Sequence, residues 1–156
     1  LDVQAIFLAG KNDRLREEAE ELALTAKFPV KVIGYSDEIE KLMHSANVMV
    51  SKLGGLTTFE AIACRLPVIG DATTPPMPQE AGTADLISKR GAGILLRRPS
   101  DIVPTIQSLL NDSPKYLNMR EATAKLATPD ATEQIIREIA ALLPKRPENA
   151  IEPIAA

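Results

Sequence analysis

The sequence predicts an α/β fold with a Rossmann-like parallel sheet, and three observations lead to this prediction. Five short apolar runs alternate with longer stretches in which apolar residues recur every three or four positions. Strands that alternate with helices are joined by parallel crossovers, so the strands are expected to form a parallel sheet. The chain has 156 residues, 45% of them hydrophobic and 25% charged, which is typical of a single globular domain.

The five apolar runs predict buried strands, because each is too short for a helix and is mostly aliphatic. They span residues 3–9, 30–33, 47–51, 66–70 and 92–96. The stretches between them have the spacing of amphipathic helices. These predicted helices cover residues 13–27, 37–45, 56–64 and 79–89. A proline or glycine near each junction, such as Pro29, ends one period before the next begins.

Three more helices are predicted to complete the domain, over residues 101–110, within 114–129, and over 130–143. Ser100 is expected to cap the first of them, because serine favours the N-cap position. The apolar side chains of that helix are expected in the core: Ile102, Val103, Ile106, Leu109 and Leu110. Prolines predict an extended or disordered tail over residues 144–156, so the domain is expected to span residues 1–143.

The composition excludes several classes of function. A net charge of −3, with 3% aromatic residues and no tryptophan, provides neither a basic surface nor a stacking platform for nucleic acid. One cysteine, Cys64, and one histidine, His44, exclude a disulfide framework, and we expect no metal site. No apolar stretch reaches the ~20 residues of a membrane span. Because the chain begins with Leu1, we expect it to be a piece of a longer protein.

The strongest local signal is the segment SKLGGLTTFEA over residues 51–61. A strand ends there, the pair Gly54-Gly55 turns the chain, and a helix begins at once. Such a junction exposes unpaired backbone N–H groups, with about half a positive charge behind them from the helix dipole. A diphosphate fits that site, and Glu60 could reach a ribose diol beyond it. The residues equally allow a simple tight turn in which Glu60 helps to cap its own helix.

A second signal is the proline-rich segment over residues 75–83. Prolines stiffen this loop, so Gln79 and Glu80 are held beside the start of a helix. An amide next to a carboxylate can donate hydrogen bonds to sugar hydroxyls and accept them. Taken alone, these residues favour the alternative, a rigid loop with a solvated glutamate in the first helical turn.

Together, GGLTTFEA and the following PxPQEAG resemble the donor-binding half of the GT-B glycosyltransferases. The sequence is most similar to the UDP-sugar:diacylglycerol glycosyltransferases, which include monogalactosyldiacylglycerol synthase. It is more distantly similar to the lipid II-forming N-acetylglucosaminyltransferase. The resemblance covers nearly the whole chain except the tail. It departs at Pro78, where the family usually has glycine, and at Thr83, where the family usually has asparagine.

Position by position, the resemblance implies the contacts of a bound UDP-hexose. The diphosphate and the ribose would lie on the glycine loop and the helix that follows: Gly54, Gly55, Leu56 and Thr57 for the diphosphate, and Glu60 for the ribose. The hexose and the uracil would lie on two other loops: Gln79, Glu80 and Thr83 for the hexose, and Tyr35 with Ser36 for the uracil. Catalytic residues are unknown, because the family draws them largely from its N-terminal domain.

The resemblance therefore implies the donor domain of a hexosyltransferase that transfers a hexose from UDP to a lipid acceptor such as diacylglycerol. No cofactor or metal is expected, and the isolated chain is expected to be inactive. The whole protein would be cytoplasmic and peripheral on the inner face of a membrane, and its N-terminal domain would bind the lipid. Two alternatives stay open: a UDP-sugar epimerase of the same fold, and a non-catalytic nucleotide-sugar-binding module, for which Thr83 is the motive.

The order of strands carries one more expectation. In a doubly wound sheet of order 3-2-1-4-5-6, the first strand lies in the centre. This chain opens at what resembles the second strand, so the strands at 3–9 and 48–51 would each lack a neighbour. We expect low stability, or a repair of the gap by direct pairing of these two strands or by pairing with another copy of the chain.

Overall fold

The computed structural model describes residues 2–74, 77–78 and 80–143. The predicted α/β class is confirmed, with five short strands: β1 (Ala5–Leu8), β2 (Val30–Ile33), β3 (Met49–Lys52), β4 (Val68–Asp71) and β5 (Gly93–Leu96). The helices of the described part are α1 (Asp13–Thr25), α2 (Ile39–Ser45), α3 (Gly55–Ala63), α4 (Ala81–Lys89), α5 (Ile102–Asn111), α6 (Ser113–Leu126) and α7 (Ala131–Leu142). The predicted tail over 144–156 lies outside the described residues, as does Gln79.

All strand pairs are parallel, but they form two separate sheets. In one, β1 pairs with β2, and Ala5 lies opposite Val30. In the other, β4 lies between β3 and β5. Within the described part of the chain no ladder joins β1 to β3, so direct pairing of these two strands, one of the expected repairs, is wrong. Pairing with another copy stays a prediction.

The strands beside this break are more exposed than predicted. Phe7 in β1 is 39% exposed and Val50 in β3 is 45% exposed. The prediction that β1 is a buried strand is therefore wrong. The physical reason is the unpaired edge, because a strand with a neighbour on one side only leaves much of its apolar surface open.

The core lies on the three-stranded sheet. One cluster of buried side chains joins that sheet to α2, α3 and α4, with Ala61, Val68 and Ile87 at its centre. A second cluster joins it to α5 and α6 through Ile69 and Leu109. No residue of β1, α1 or β2 belongs to either cluster. The β3–β4–β5 sheet is thus the stable platform of the described part.

Gly93 and Thr123 connect β5 and the residue before it to their neighbours. A Cβ atom at Gly93 would overlap the carbonyl oxygen of Val68, so only glycine allows this approach of β5 to β4. Thr123, in α6, is fully buried, and its hydroxyl lies 3.1 Å from the carbonyl oxygen of Ala92 and 2.9 Å from that of Met119. This hydroxyl therefore ties α6 to the residue just before β5.

Two predictions about the C-terminal helices are wrong. Ser100 does not cap α5, because it lies inside a 3₁₀ turn over Pro99–Asp101, and Asp101 takes the N-cap position. Val103 and Leu110, expected in the core, are about half exposed. The sequence also places Ile135, Ile136 and Ile139 on one face of the last helix, and on α7 this apolar face is exposed.

We expect the chain to self-associate through the free edge of β1, because unpaired N–H and C=O groups beside exposed apolar side chains favour strand pairing. Phe7→Lys is expected to weaken association by placing a charge on this edge strand. Light scattering over a concentration series measures the mass. The matched control is Val103→Lys, which alters an exposed apolar side chain on a helix. A wild-type chain that is monomeric at every concentration contradicts this expectation.

Candidate functional site

The glycine loop lies where the sequence predicts it, between a strand and a helix. β3 ends at Lys52, Leu53 is buried, and α3 begins at Gly55, one residue before the predicted start. Gly54 is the N-cap residue, with an extended backbone (φ −64°, ψ 142°), and no side chain caps the helix. The first intrahelical bond is donated by the N–H of Thr58 to the carbonyl oxygen of Gly54, at 3.1 Å.

This arrangement leaves the first backbone N–H groups of α3 without an acceptor in the described part of the chain. No other atom lies within 4 Å of the Cβ position at Gly55, so a ligand can approach the backbone there. An N-terminus with free N–H groups and a positive dipole end can hold a phosphate group. The alternative in which Glu60 helps to cap α3 is not seen, because no side chain accepts a hydrogen bond at this end.

Glu80 lies against the same loop, although it is distant in the chain. Its Oε1 atom is 3.7 Å from the Cβ position at Gly54. The side chain is only 17% exposed, and Oε2 is buried without a hydrogen-bond partner in the described residues. The structure thus brings together two of the predicted binding residues, Gly54 and Glu80.

Lys52, to which the sequence assigns no role, lies beside Gly54 and Glu80 as well. Its ammonium nitrogen lies 3.5 Å from Oε2 of Glu80. That distance is within ion-pair range but long for a hydrogen bond. The signal that could have found it is its position, a cation at the carboxyl end of a strand next to a glycine pair.

The loop that leads from β4 to Glu80 begins with a turn at Asp71. The carboxylate of Asp71 accepts a hydrogen bond from the N–H of Thr73 at 2.9 Å, as in an Asx turn. This hydrogen bond lowers the pKa of Asp71. Asp71 is also the register partner of Lys52, so the loops after β3 and β4 start side by side.

Glu60 lies on the exposed side of α3, and its side chain has no hydrogen bond or ion pair in the described residues. Its charge nevertheless acts on a neighbour four residues along the helix. The pKa of the Cys64 thiol is raised, mainly by burial and further by the negative charges of Glu40 and Glu60. The carboxylate of Glu60 is therefore free to bind a ligand.

The residues predicted to bind uracil follow the other sheet. Tyr35 comes after β2 and is exposed, and the ammonium of Lys11 lies 4.8 Å from the centre of its ring, a cation–π contact. The hydroxyl oxygen of Ser36 accepts a hydrogen bond from the N–H of Glu38 at 3.1 Å. In the described part of the chain, no hydrogen bond or ion pair connects this loop to the glycine loop.

Thr83, predicted to contact the hexose, lies in the first turn of α4. It is buried at 9% exposure, and its N–H donates to the carbonyl oxygen of Glu80 at 3.0 Å. A second buried threonine, Thr58 in α3, is fully enclosed, and its hydroxyl has no partner in the described residues. Gln79, the other residue predicted to contact the hexose, is outside the described residues.

A polar concavity of about 480 Å³ lies elsewhere, between the last turns of α2 and α3 and helix α6. His44, Cys64, Arg65 and Arg120 are among the residues that line it. Two helix C-termini with partial negative charge border it, together with the cationic side chains of Arg65 and Arg120. The glycine loop is the better candidate for a nucleotide, because its free backbone N–H groups lie at a helix N-terminus.

The described ranges contain neither a cluster of metal ligands nor a helix that could span a membrane. No group of three or more His, Cys, Asp and Glu side chains there is placed to hold a metal ion. None of the helices in those ranges is both long and apolar enough to cross a membrane.

Comparison with known proteins identifies the family of the chain. The family of glycosyl transferases group 1 matches residues 2–126. A processive diacylglycerol beta-glucosyltransferase from Bacillus cereus is 32% identical over 153 residues, which are 97% of this chain. The chain spans 37% of the length of that relative.

Solved structures share the fold. MurG from Acinetobacter baumannii matches with a TM-score of 0.77 at 15% identity, over 91% of this chain and 42% of MurG. HepE from Anabaena, solved in complex with UDP-glucose, matches with a TM-score of 0.61 at 18% identity, over 90% of this chain and 41% of HepE. The predicted resemblance to the GT-B glycosyltransferases is confirmed, and because the family match covers most of the chain, the chain belongs to the glycosyl transferases group 1.

Proposed function

We propose that this chain is the UDP-hexose-binding part of a hexosyltransferase whose acceptor is a lipid. The observation that carries the proposal is the uncapped N-terminus of α3, open at Gly55 and bordered by the partly buried carboxylate of Glu80. The name of the Bacillus cereus relative supports a diacylglycerol acceptor, and the ligand of HepE supports a UDP-sugar donor.

The donor would lie across the carboxyl ends of the strands. Its diphosphate accepts hydrogen bonds from the backbone of residues 54–57, and Glu60 binds the ribose hydroxyls. The uracil contacts the backbone of Tyr35 and Ser36. The hexose extends towards residues 79–83, where the carboxylate of Glu80 can accept a hydrogen bond from a sugar hydroxyl.

In the reaction, the bond between the hexose and the diphosphate breaks, and negative charge develops on the leaving UDP. Backbone N–H groups that are already oriented stabilise this charge without reorganisation. The helix terminus provides such groups without a metal ion. The lipid acceptor and its activating base would come from the rest of the whole protein, at the inner face of a membrane.

The whole protein tests the reaction directly. Incubated with UDP-glucose and diacylglycerol vesicles, it is expected to form a glycolipid and release UDP, measured by mass spectrometry of the lipid extract. Omission of diacylglycerol is the control. An epimerised sugar formed without acceptor would favour the epimerase alternative, and donor binding without any product would favour the non-catalytic module.

Titration of the chain with UDP, followed by amide NMR, tests the site. The largest chemical-shift changes are expected at residues 55–58, because these amides form the first turn of α3, beside the proposed diphosphate. Amides of α7, such as that of Ile136, serve as an internal reference. Largest shifts at the concavity that contains Arg120 would contradict the assignment of the site.

Glu60→Gln is expected to weaken UDP binding by about 1.5–3 kcal/mol, because a charge-assisted hydrogen bond to the ribose is lost. Isothermal titration calorimetry measures the affinity. Glu133→Gln, which makes the same charge change on α7, is the matched control and should bind UDP like the wild type. Faster alkylation of Cys64 in Glu60→Gln is expected as well, since one cause of its raised pKa has been removed. Unchanged UDP affinity would exclude Glu60 from the ribose site.

A further inference from the structure

We propose that Lys52 binds the diphosphate of the donor and that Glu80 holds its ammonium group at the edge of the glycine loop. The inference rests on the proposed function and adds a residue to which neither the motifs nor the comparisons assign a role. It is carried by the contact between Lys52 and Glu80, by the unfilled oxygen of Glu80, and by the position of both beside Gly54.

The ammonium group of Lys52 lies close to the start of α3. Lys52 is the last residue of β3, two residues before the N-cap Gly54. Its ammonium nitrogen is 3.5 Å from Oε2 of Glu80, and Oε1 of the same carboxylate is 3.7 Å from the Cβ position at Gly54. The cation therefore lies next to the N-terminus of α3, where the proposed diphosphate binds.

The ion pair between Lys52 and Glu80 is long. Two ion pairs of lysines within helices are shorter, with 2.7 Å between Lys89 and Asp85 and 2.7 Å between Lys125 and Glu121. Lys52 is 63% exposed, and its side chain donates no hydrogen bond in the described part of the chain. The ammonium group thus keeps donors available for a second anionic partner.

The charge of Lys52 offsets that of Glu80 at this site. A partly buried carboxylate beside a helix N-terminus, such as that of Glu80, competes with any anion that binds there, since like charges repel at short range. A cation between the two removes this conflict, because it can attract the carboxylate and a phosphate oxygen together. Lys52 is the residue of the described chain that contacts Glu80 through a charged group. Without it, the carboxylate would weaken the diphosphate site.

The test compares the wild-type chain with Lys52→Met, Lys52→Arg and Lys89→Met by NMR titration with UDP and, separately, with uridine. We expect Lys52→Met to weaken UDP about tenfold or more, as for the loss of a charged hydrogen bond, and to change uridine affinity less than twofold. Lys52→Arg should keep most of the UDP affinity. Lys89→Met, which removes a paired lysine at the other end of α4, should bind both ligands like the wild type.

Two results would overturn the inference while the proposed function stands. In the first, Lys52→Met binds UDP like the wild type. In the second, it loses UDP and uridine by the same factor, in which case Lys52 only supports the fold. A wild-type chain that binds neither UDP nor uridine overturns the proposed function, and the inference with it.

Discussion

The parallel ladder of β3, β4 and β5 is the constraint on which the site depends. Parallel strands end at the same edge of a sheet, so the loops that follow them share that edge. In this chain Lys52 and Asp71 are register partners, and the two loops begin side by side. The long connection after β4 brings Glu80 beside the glycine turn, although Glu80 comes 25 positions after Gly55 in the chain. Both buried clusters pack on this sheet.

Charge at this edge is balanced by position rather than by close contacts. The uncapped start of α3 offers positive partial charge, and Glu80 sets a carboxylate against it. Lys52 lies beside that carboxylate at a distance that leaves both groups incompletely paired. A site with such unfilled partners is suited to a charged ligand with several oxygen atoms, because each open donor or acceptor costs free energy until it is filled.

The break between the two sheets leaves the N-terminal part of the chain, β1, α1 and β2, outside the core. β1 and β2 pair only with each other, and they contribute nothing to the two buried clusters. The predicted uracil loop belongs to this unit, whereas the predicted diphosphate and hexose loops belong to the three-stranded sheet. The relative position of the base and the phosphates in a bound nucleotide therefore depends on whatever holds the two sheets in register.

Much of the local structure was determined by the sequence alone. The alternation of apolar runs with helical periods predicted every strand and helix of the described part within a few residues, and Gly54-Gly55 marked the helix start used by the site. These features depend on neighbours in the chain, so local rules suffice. Burial depends on partners distant in the chain. For that reason only the tertiary structure decided that Phe7 and Val50 are exposed, that Ser100 lies in a 3₁₀ turn, and that α7 leaves its apolar face open. The contact between Lys52 and Glu80 was decided in the same way, because a pairing between two loops follows from strand register, which no single segment of the sequence contains.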